Sequence, residues 1–232
     1  MEVQVKQEVL VEENNFQVIE GTGRRNSIDK QKTIYRVVKR IMDVLCSVLA
    51  MIVLLPVFLI TAVAIWIEDG GPVIYSQERN GINGKVFRMY KFRSMCRDAE
   101  KLHKNLLKSN EADGPVFKMK RDPRVTKVGR ILRRTSIDEL PQLINILRGD
   151  MSIVGPRPIV TYETERFNDY QKQRMAVKPG LTCYWQCRGR NDIPFDEWIE
   201  LDLKYIKDEC FWVDLKIVFK TVGIVLSGRG AY

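Results

Sequence analysis

An uncharged run of 24 residues, from Val44 to Ile67, restricts the possible folds of this chain more than any other feature. A straight helix of this length is long enough to cross the hydrocarbon core of a bilayer, which is about 30 Å thick. Pro56 lies in the middle of the run, and an interior proline removes a backbone hydrogen bond and costs roughly 3 kcal/mol or bends the helix. The sequence therefore predicts a helical membrane segment that is broken at Pro56.

Basic residues lie on both sides of this run, and they are expected on the cytoplasmic side of a membrane. A helix that enters, bends at Pro56 and returns to the same face satisfies this rule on both flanks, whereas a single crossing satisfies it on one. Re-entrant and single-pass arrangements both remain open from these residues. The basic residues are Lys32, Arg36, Lys39 and Arg40 before the run, and Lys85, Arg88, Lys91 and Arg93 after it.

The remaining chain predicts a mixed, helix-rich α/β fold. Residues 1–31 are polar and rich in Glu and Asn, which predicts a poorly ordered tail. We assign residues 32–67 to the membrane helix and residues 68–232 to one domain on the cytoplasmic face, because this length can bury one core. Alternating side chains predict strands at 73–77 and 85–95. Apolar periodicity predicts helices at 97–109, 162–175, 195–210 and 211–226, and a turn at 122–130 leads into a basic helix.

The helix at 211–226 combines apolar residues with Trp212, Lys216 and Lys220. This pattern suits a helix that lies in the membrane interface, with the tryptophan at headgroup depth. A buried core helix is the alternative interpretation.

The charge distribution indicates an anionic partner. The formal net charge is +9, and residues 68–137 carry 17 Lys and Arg against 8 Asp and Glu. Nucleic acid, an anionic membrane surface and a phosphorylated substrate each fit such a surplus. The five cysteines are scattered and His103 is the only histidine, which argues against a zinc site and against a His-dependent catalytic triad.

Two adjacent carboxylates, Asp138 and Glu139, follow this basic stretch. Apolar spacing after them predicts a helix, and Pro141 requires that helix to begin close to Asp138. Ser136 and Glu139 have the spacing of a capping box. A helix N-terminus favours an ionised carboxylate and also attracts phosphate. The alternative is that Glu139 only caps the helix and Asp138 only complements its dipole.

Three further polar residues have local sequences suited to an anion. Arg157 lies between Pro156 and Pro158, which fix the backbone and would hold a guanidinium in place for a phosphate, although a plain structural turn is also possible. Arg190 and Asn191 follow a glycine, where their side chains can approach an anion or a base.

Five motifs in a fixed order resemble one known family. From residue 39 to residue 232 the chain resembles the bacterial sugar transferases, the monotopic polyprenol-phosphate phosphoglycosyl transferases. The family often has Ser before the proline of the broken helix, where this chain has Leu55. The five motifs are Lys91-Phe92-Arg93-Ser94-Met95, Asp122-Pro123-Arg124-Val125-Thr126, Thr135-Ser136-Ile137-Asp138-Glu139-Leu140-Pro141-Gln142, Val154-Gly155-Pro156-Arg157-Pro158 and Pro179-Gly180-Leu181-Thr182.

The resemblance implies a small α/β catalytic domain on a re-entrant helix, with amphipathic helices along the inner leaflet of the bacterial cytoplasmic membrane. It implies transfer of a sugar 1-phosphate from a UDP-sugar to undecaprenyl phosphate, with release of UMP, which starts exopolysaccharide or capsule repeat synthesis. The closing residues 228–232 are similar to those of members that transfer galactose or glucose. No oligomeric state is implied.

The same resemblance implies roles for individual residues. Asp138 would be the nucleophile that forms a phosphosugar-aspartyl intermediate, and Glu139, with Asp138, would hold Mg²⁺. Arg133 and Arg190 match arginines that grip phosphate or nucleotide. Lys91, Arg93, Arg157 and Asn191 are the remaining candidates for substrate binding. The competing hypothesis is a membrane-anchored basic module that binds anionic lipid or nucleic acid; we expect the enzyme, and no nucleic-acid partner.

Overall fold

The computed structural model describes residues 21–106, Met119, residues 122–188 and residues 193–227. The chain divides into two compact units, residues 1–41 and residues 42–232. Helix α1 (Gly21–Val53) is followed by helix α2 (Leu55–Asp69). Residues 1–20 of the predicted tail lie outside the described residues, and α1 begins inside the stretch assigned to that tail.

The predicted break at Pro56 is confirmed. Pro56 lies in the first turn of α2, where its missing N–H is not needed, and Leu54 has left the α-helical conformation with φ −90° and ψ 5°. Among the described residues no single helix has the length and apolarity to cross a membrane. Lys32–Val53 and Leu55–Asp69, bent by 62°, pass that test of length and composition only as a pair.

A three-stranded antiparallel sheet follows the bent pair. Strands β1 (Ile74–Asn80) and β2 (Val86–Phe92) form a hairpin in which Ile74 pairs with Phe92 and Asn80 with Val86. The short strand β4 (Ile159–Val160) pairs with the other edge of β1. These two main strands agree with the predicted alternation.

A separate two-stranded parallel sheet joins β3 (Ser152–Val154) to β5 (Gly180–Thr182). Gly155 and Gly180 allow this close approach, because a Cβ on Gly180 would lie 2.1 Å from the Gly155 nitrogen.

The other helices are mostly short, which gives the mixed, helix-rich α/β fold that the sequence predicted. The prediction of one helix at 162–175 is wrong, because the chain leaves the helix after Thr164 and begins a new one with a capping box at Asn168. The helices are α3 (Ala99–Leu106), α4 (Lys127–Thr135), α5 (Gln142–Arg148), α6 (Thr161–Thr164), α7 (Asp169–Lys172), α8 (Tyr184–Arg188), α9 (Phe195–Asp208) and α10 (Phe211–Ser227).

The bent helix pair packs directly on the elements that carry the candidate site. The ring of Phe58 meets that of Phe92 edge-on at 5.4 Å, and Met51 and Phe58 pack on the cluster that contains Met89 and Leu143. These contacts bury apolar surface of the helix pair on β2 and α5, which stabilises their packing.

The end of α2 also holds the start of α4. The Glu68 carboxylate accepts hydrogen bonds from the backbone N–H groups of Lys127, at 2.7 Å, and Val128, at 3.0 Å. Unpaired N–H groups at a helix start favour such an anionic cap. Through α4, the helix pair is therefore connected to the turn that contains Asp138 and Glu139.

Candidate active site

Asp138 and Glu139 lie on a tight turn between two helices. Ser136 ends α4 in the left-handed conformation, with φ 58° and ψ 16°, and Ile137–Glu139 form one turn of 3-10 helix. Helix α5 begins only at Gln142. The charge of Lys91, on the neighbouring strand β2, acts on both carboxylates.

The predicted capping box is wrong. Ser136 makes no side-chain cap hydrogen bond, since its left-handed backbone completes the preceding helix and cannot adopt the extended N-cap conformation. The Glu139 side chain does not turn back towards Ser136 but points to β2. The prediction that a helix begins close to Asp138 is confirmed only for the 3-10 turn Ile137–Glu139, since the α-helix itself begins at Gln142.

Two cations hold one oxygen of Glu139. Lys91 Nζ lies 2.8 Å and Arg157 Nη1 lies 3.2 Å from Glu139 Oε1. Burial alone would raise the pKa of Glu139, but Lys91 and Arg157 overcome this and hold the pKa of the carboxyl well below its usual value. Burial lowers the pKa of Lys91, although Glu139 opposes that shift. Glu139 is therefore an ionised, fixed carboxylate at the centre of the site.

Asp138 is surrounded differently from its neighbour. Asp138 is 7% exposed, and within the described part of the chain no group donates a hydrogen bond to its carboxylate. Burial raises the pKa of Asp138 and the neighbouring charge of Glu139 adds to this rise, while the charges of Lys91, Arg133 and Arg157 act in the opposite direction. The carboxylate thus lies in a positive field without being held by a hydrogen bond, which leaves its oxygens available for a reaction.

Arg133 reaches the same site from the end of α4. Its Nε donates to Ser94 Oγ at 3.0 Å, and its charge acts on both Asp138 and Asp122. Asp122 accepts hydrogen bonds from Nε and Nη2 of Arg124, the latter at 2.6 Å. The Asp122 motif thereby supports the turn that precedes α4.

Arg93 occupies a different position from the other predicted residues. Its Nη2 donates to the carbonyl of Gly70 at 2.7 Å and lies 3.2 Å from Asp69 Oδ2. This interaction satisfies a carbonyl at the end of α2 and joins the bent helix pair to β2. Arg190 and Asn191 lie outside the described residues, so their predicted roles are not located.

Asn145 is a site-forming residue that the sequence analysis missed. Its side chain is fully buried in α5, accepts the N–H of Tyr90 at 2.9 Å and donates to the carbonyl of Arg88 at 2.7 Å. These bonds fix α5 against β2 immediately before Lys91. A polar residue within the apolar repeat of α5 was the available signal, because a buried amide requires partners.

The carboxylate oxygens suit a magnesium ion that is also bound by a substrate. Glu139 Oε2 and both oxygens of Asp138 accept no hydrogen bond from the described residues. No group of three or more acidic, His or Cys side chains among those residues is placed to hold a metal. Mg²⁺ in phosphoryl-transfer sites is commonly held by one or two carboxylates together with substrate phosphates, and this donor set fits that pattern.

Comparison with known sequences finds a family model that matches most of the chain. Residues 34–228 match the sequence model of the family described as Bacterial sugar transferase. The chain belongs to the bacterial sugar transferase family. The resemblance drawn from the five motifs is therefore confirmed. The turn Ile137–Glu139 of this bacterial sugar transferase, called the carboxylate turn below, lies within the matched region.

Named relatives are similar over most of this chain. The galactosyl transferase CpsE of Streptococcus agalactiae is 44% identical over 94% of the chain and 49% of its own length. The undecaprenyl-phosphate galactose phosphotransferase of Salmonella typhimurium is 43% identical over 90% of the chain and 44% of its own length. The chain thus spans about half the length of these two relatives.

A shorter relative is covered almost completely. The exopolysaccharide production protein ExoY of Sinorhizobium fredii is 42% identical over 84% of the chain and 88% of its own length. The sequence therefore matches most of this relative and part of the other two.

Proposed function

We propose that the protein transfers a sugar 1-phosphate from a UDP-sugar to undecaprenyl phosphate and thereby starts the assembly of an exopolysaccharide or capsule repeat. The observation that carries this proposal is the contrast between the two carboxylates. Glu139 is held by Lys91 and Arg157, whereas Asp138 lies in the same positive field with its oxygens unengaged by the described residues. The names of the CpsE and Salmonella relatives favour galactose as the sugar.

In the first step Asp138 attacks the donor. A carboxylate oxygen of Asp138 forms a bond to the sugar-bearing phosphorus, and the bond from that phosphorus to the UMP oxygen breaks. UMP leaves with the electron pair, and a phosphosugar-aspartyl intermediate remains. Arg133 and Arg157 lie where they can stabilise the negative charge that develops on the diphosphate oxygens.

In the second step the lipid phosphate attacks the intermediate and regenerates the free enzyme. An oxygen of undecaprenyl phosphate attacks the phosphorus of the intermediate, the bond to Asp138 breaks, and undecaprenyl-diphosphate-sugar forms. Asp138 attacks as a carboxylate and the lipid attacks as a phosphate anion, so neither step requires a histidine as general base. The positive charges of Lys91, Arg133 and Arg157 serve both displacements, because each develops charge on the same phosphoryl oxygens.

Asp138 and Glu139 would hold Mg²⁺ together with the donor diphosphate. When bound, the ion would neutralise charge on the diphosphate and favour departure of UMP. Lys91 and Arg157 would keep Glu139 ionised and oriented for this role, as their contacts with Oε1 leave Oε2 available.

We further propose that the bent pair α1–α2 dips into the cytoplasmic leaflet of the bacterial inner membrane. The apolar side chains on its outer surface support this placement: Leu49, Ile52, Leu59, Ile60 and Trp66 are each more than 60% exposed. Trp212 and Phe219 on α10 are also exposed and would lie in the membrane interface. This position would bring the lipid phosphate to the carboxylate turn.

The deciding experiment measures UMP release from a panel of UDP-sugars with Mg²⁺ and undecaprenyl phosphate. We expect release with one donor by the wild-type protein, and its loss in Asp138→Asn. Asp196→Asn, which changes an exposed aspartate at the start of α9, is the matched control and should retain turnover.

Absence of release with every UDP-sugar would contradict the transferase. If the same preparation bound anionic vesicles or nucleic acid with steep salt dependence, and did so equally in Asp138→Asn, the basic binding module would be the better account. Release that persists in Asp138→Asn would contradict only the aspartyl intermediate.

A further inference from the structure

A buried ion pair lies behind the candidate active site. Arg174 is 2% exposed and Asp202 is fully buried, and Arg174 Nη2 donates to Asp202 Oδ2. The desolvation of two buried charges commonly offsets their attraction, so such a pair is weak evidence for a role in stability. The pair therefore requires an explanation beyond the core.

The ion pair reaches the site through the backbone of Arg157. Besides Asp202, Arg174 Nη2 donates to the carbonyl oxygen of Arg157 at 2.9 Å. Arg157 is already restricted by Pro156 and Pro158, and this bond fixes its carbonyl from inside the domain. The backbone of Arg157 is thus held by Arg174, whose side chain has no contact with Asp138 or Glu139 among those the structure gives.

Two stacked tryptophans support the side chain of Arg157. The guanidinium carbon of Arg157 lies 5.5 Å from the centre of the Trp185 ring. Trp185 stacks on Trp198 at 5.1 Å, and the Arg174 guanidinium lies 4.8 Å from the Trp198 ring. All these distances are within the range of cation–π and aromatic contacts. The support therefore runs continuously from Asp202 to the Arg157 side chain.

We propose that Asp202, Arg174 and Trp185 are positioning residues that hold Arg157 against Glu139 and ready to bind the donor diphosphate. The proposal rests on the proposed function and adds residues that touch neither carboxylate. An arginine side chain loses rotamer entropy when it is fixed. A guanidinium that is fixed before the donor binds does not lose that entropy during the reaction, which favours the transition state.

The first test is a double-mutant cycle between Trp185 and Arg157. We expect Trp185→Leu to lower kcat/KM for the UDP-sugar about tenfold, the loss of one cation–π contact. Trp185→Phe, which keeps an aromatic face, should retain most of the activity. In an Arg157→Ala background, Trp185→Leu should cause no further loss, because the residue acts through Arg157. An equal fold-loss in both backgrounds would overturn the proposal.

The second test removes both buried charges. Changing Asp202 alone would leave Arg174 as an uncompensated buried cation and could prevent folding. The double variant Arg174→Met with Asp202→Leu avoids this, and we expect a melting temperature at or above that of the wild type with kcat/KM lowered about tenfold. Wild-type kcat/KM in this folded variant would show that the ion pair does not position Arg157.

A readout independent of turnover separates this proposal from the proposed function. In nanodiscs, the NMR signal of the Arg157 Nε–H, assigned with Arg157→Lys, should exchange slowly with water in the wild type and rapidly in Trp185→Leu. Rapid exchange in the wild type would overturn the positioning role. If no UDP-sugar released UMP, the proposed function would fail, while this comparison would still decide whether Arg157 is held.

Discussion

At the residue scale, the site depends on cations that are fixed at one carboxylate and leave the other available. Lys91 is the closest cation to Glu139, at 2.8 Å. We expect Lys91→Met to lower kcat for UMP release about a hundredfold, because it would remove one of the charges that we propose stabilise the donor diphosphate. Lys85→Met, an exposed lysine next to the same strand, is the control. Steady-state assays with thermal melts check this, and wild-type turnover in Lys91→Met would contradict it.

Asp202 gives a pH dependence of stability with a definite sign. Burial raises the pKa of Asp202 to about 6, although Arg174 and Arg157 lower it. The unfolded value is about 3.9. The folded state therefore binds the proton more tightly, and the free energy of unfolding should fall as the pH rises through the window between these values, by up to roughly 3 kcal/mol.

Melting temperatures between pH 4 and pH 7 measure this contribution. The charged or titratable groups around Asp202 include Arg174, Arg157 and Cys183. We expect the downward slope to disappear in the double variant Arg174→Met with Asp202→Leu and to persist in the exposed control Asp196→Asn. An identical slope in the double variant and the wild type would assign the pH dependence to other groups.

At the element scale, α4 sets the position of the carboxylate turn. A Cβ on Gly129 would lie 2.0 Å from the carbonyl oxygen of Ser94, so alanine would push α4 away from the end of β2. We expect Gly129→Ala to cost about 1–3 kcal/mol and to lower turnover, because Arg133 on this helix bonds Ser94.

Gly223 offers a matched control for that change. It lies in α10 with open space where a Cβ would be placed, so Gly223→Ala should stabilise the helix by up to about 1 kcal/mol and leave turnover unchanged. Denaturation midpoints and UMP release on the two variants decide the point. A Gly129→Ala protein as stable and active as Gly223→Ala would show that α4 can shift freely.

The elements that the sequence predicted correctly are those whose signals act between residues close together in the chain. Alternation of side chains predicted β1 and β2, and Pro56 predicted the break, because both signals act between near neighbours. The predicted capping box at the start of α5 was wrong, since Ser136 ends the helix before it. Arg174 and Asp202 were missed because they are 28 residues apart, and no local pattern marks such a pair. The motifs supplied the candidate residues around Asp138, but not the tryptophan support behind Arg157.

At the scale of the whole molecule, the bent helix pair has two distinct surfaces. Asp43, Ser47 and Thr61 are buried, and Asp43 Oδ1 accepts the N–H of Ile153 at 2.9 Å, so one surface packs on the domain that carries the site. The opposite surface is apolar and exposed. An amphipathic pair of this kind can enter one leaflet while its polar side chains stay with the protein.

This arrangement predicts that both flanks of the pair lie on the same side of the membrane. With the five native cysteines replaced, Lys32→Cys and Lys85→Cys can be labelled separately with a membrane-impermeant maleimide. We expect neither cysteine to react in intact spheroplasts and both to react in inverted vesicles, because each flank carries basic residues that favour the cytoplasm. A single crossing would make one of the two react in spheroplasts. That result would contradict the re-entrant placement, since the exposed apolar surface would then belong to a spanning helix rather than to a pair that dips into one leaflet.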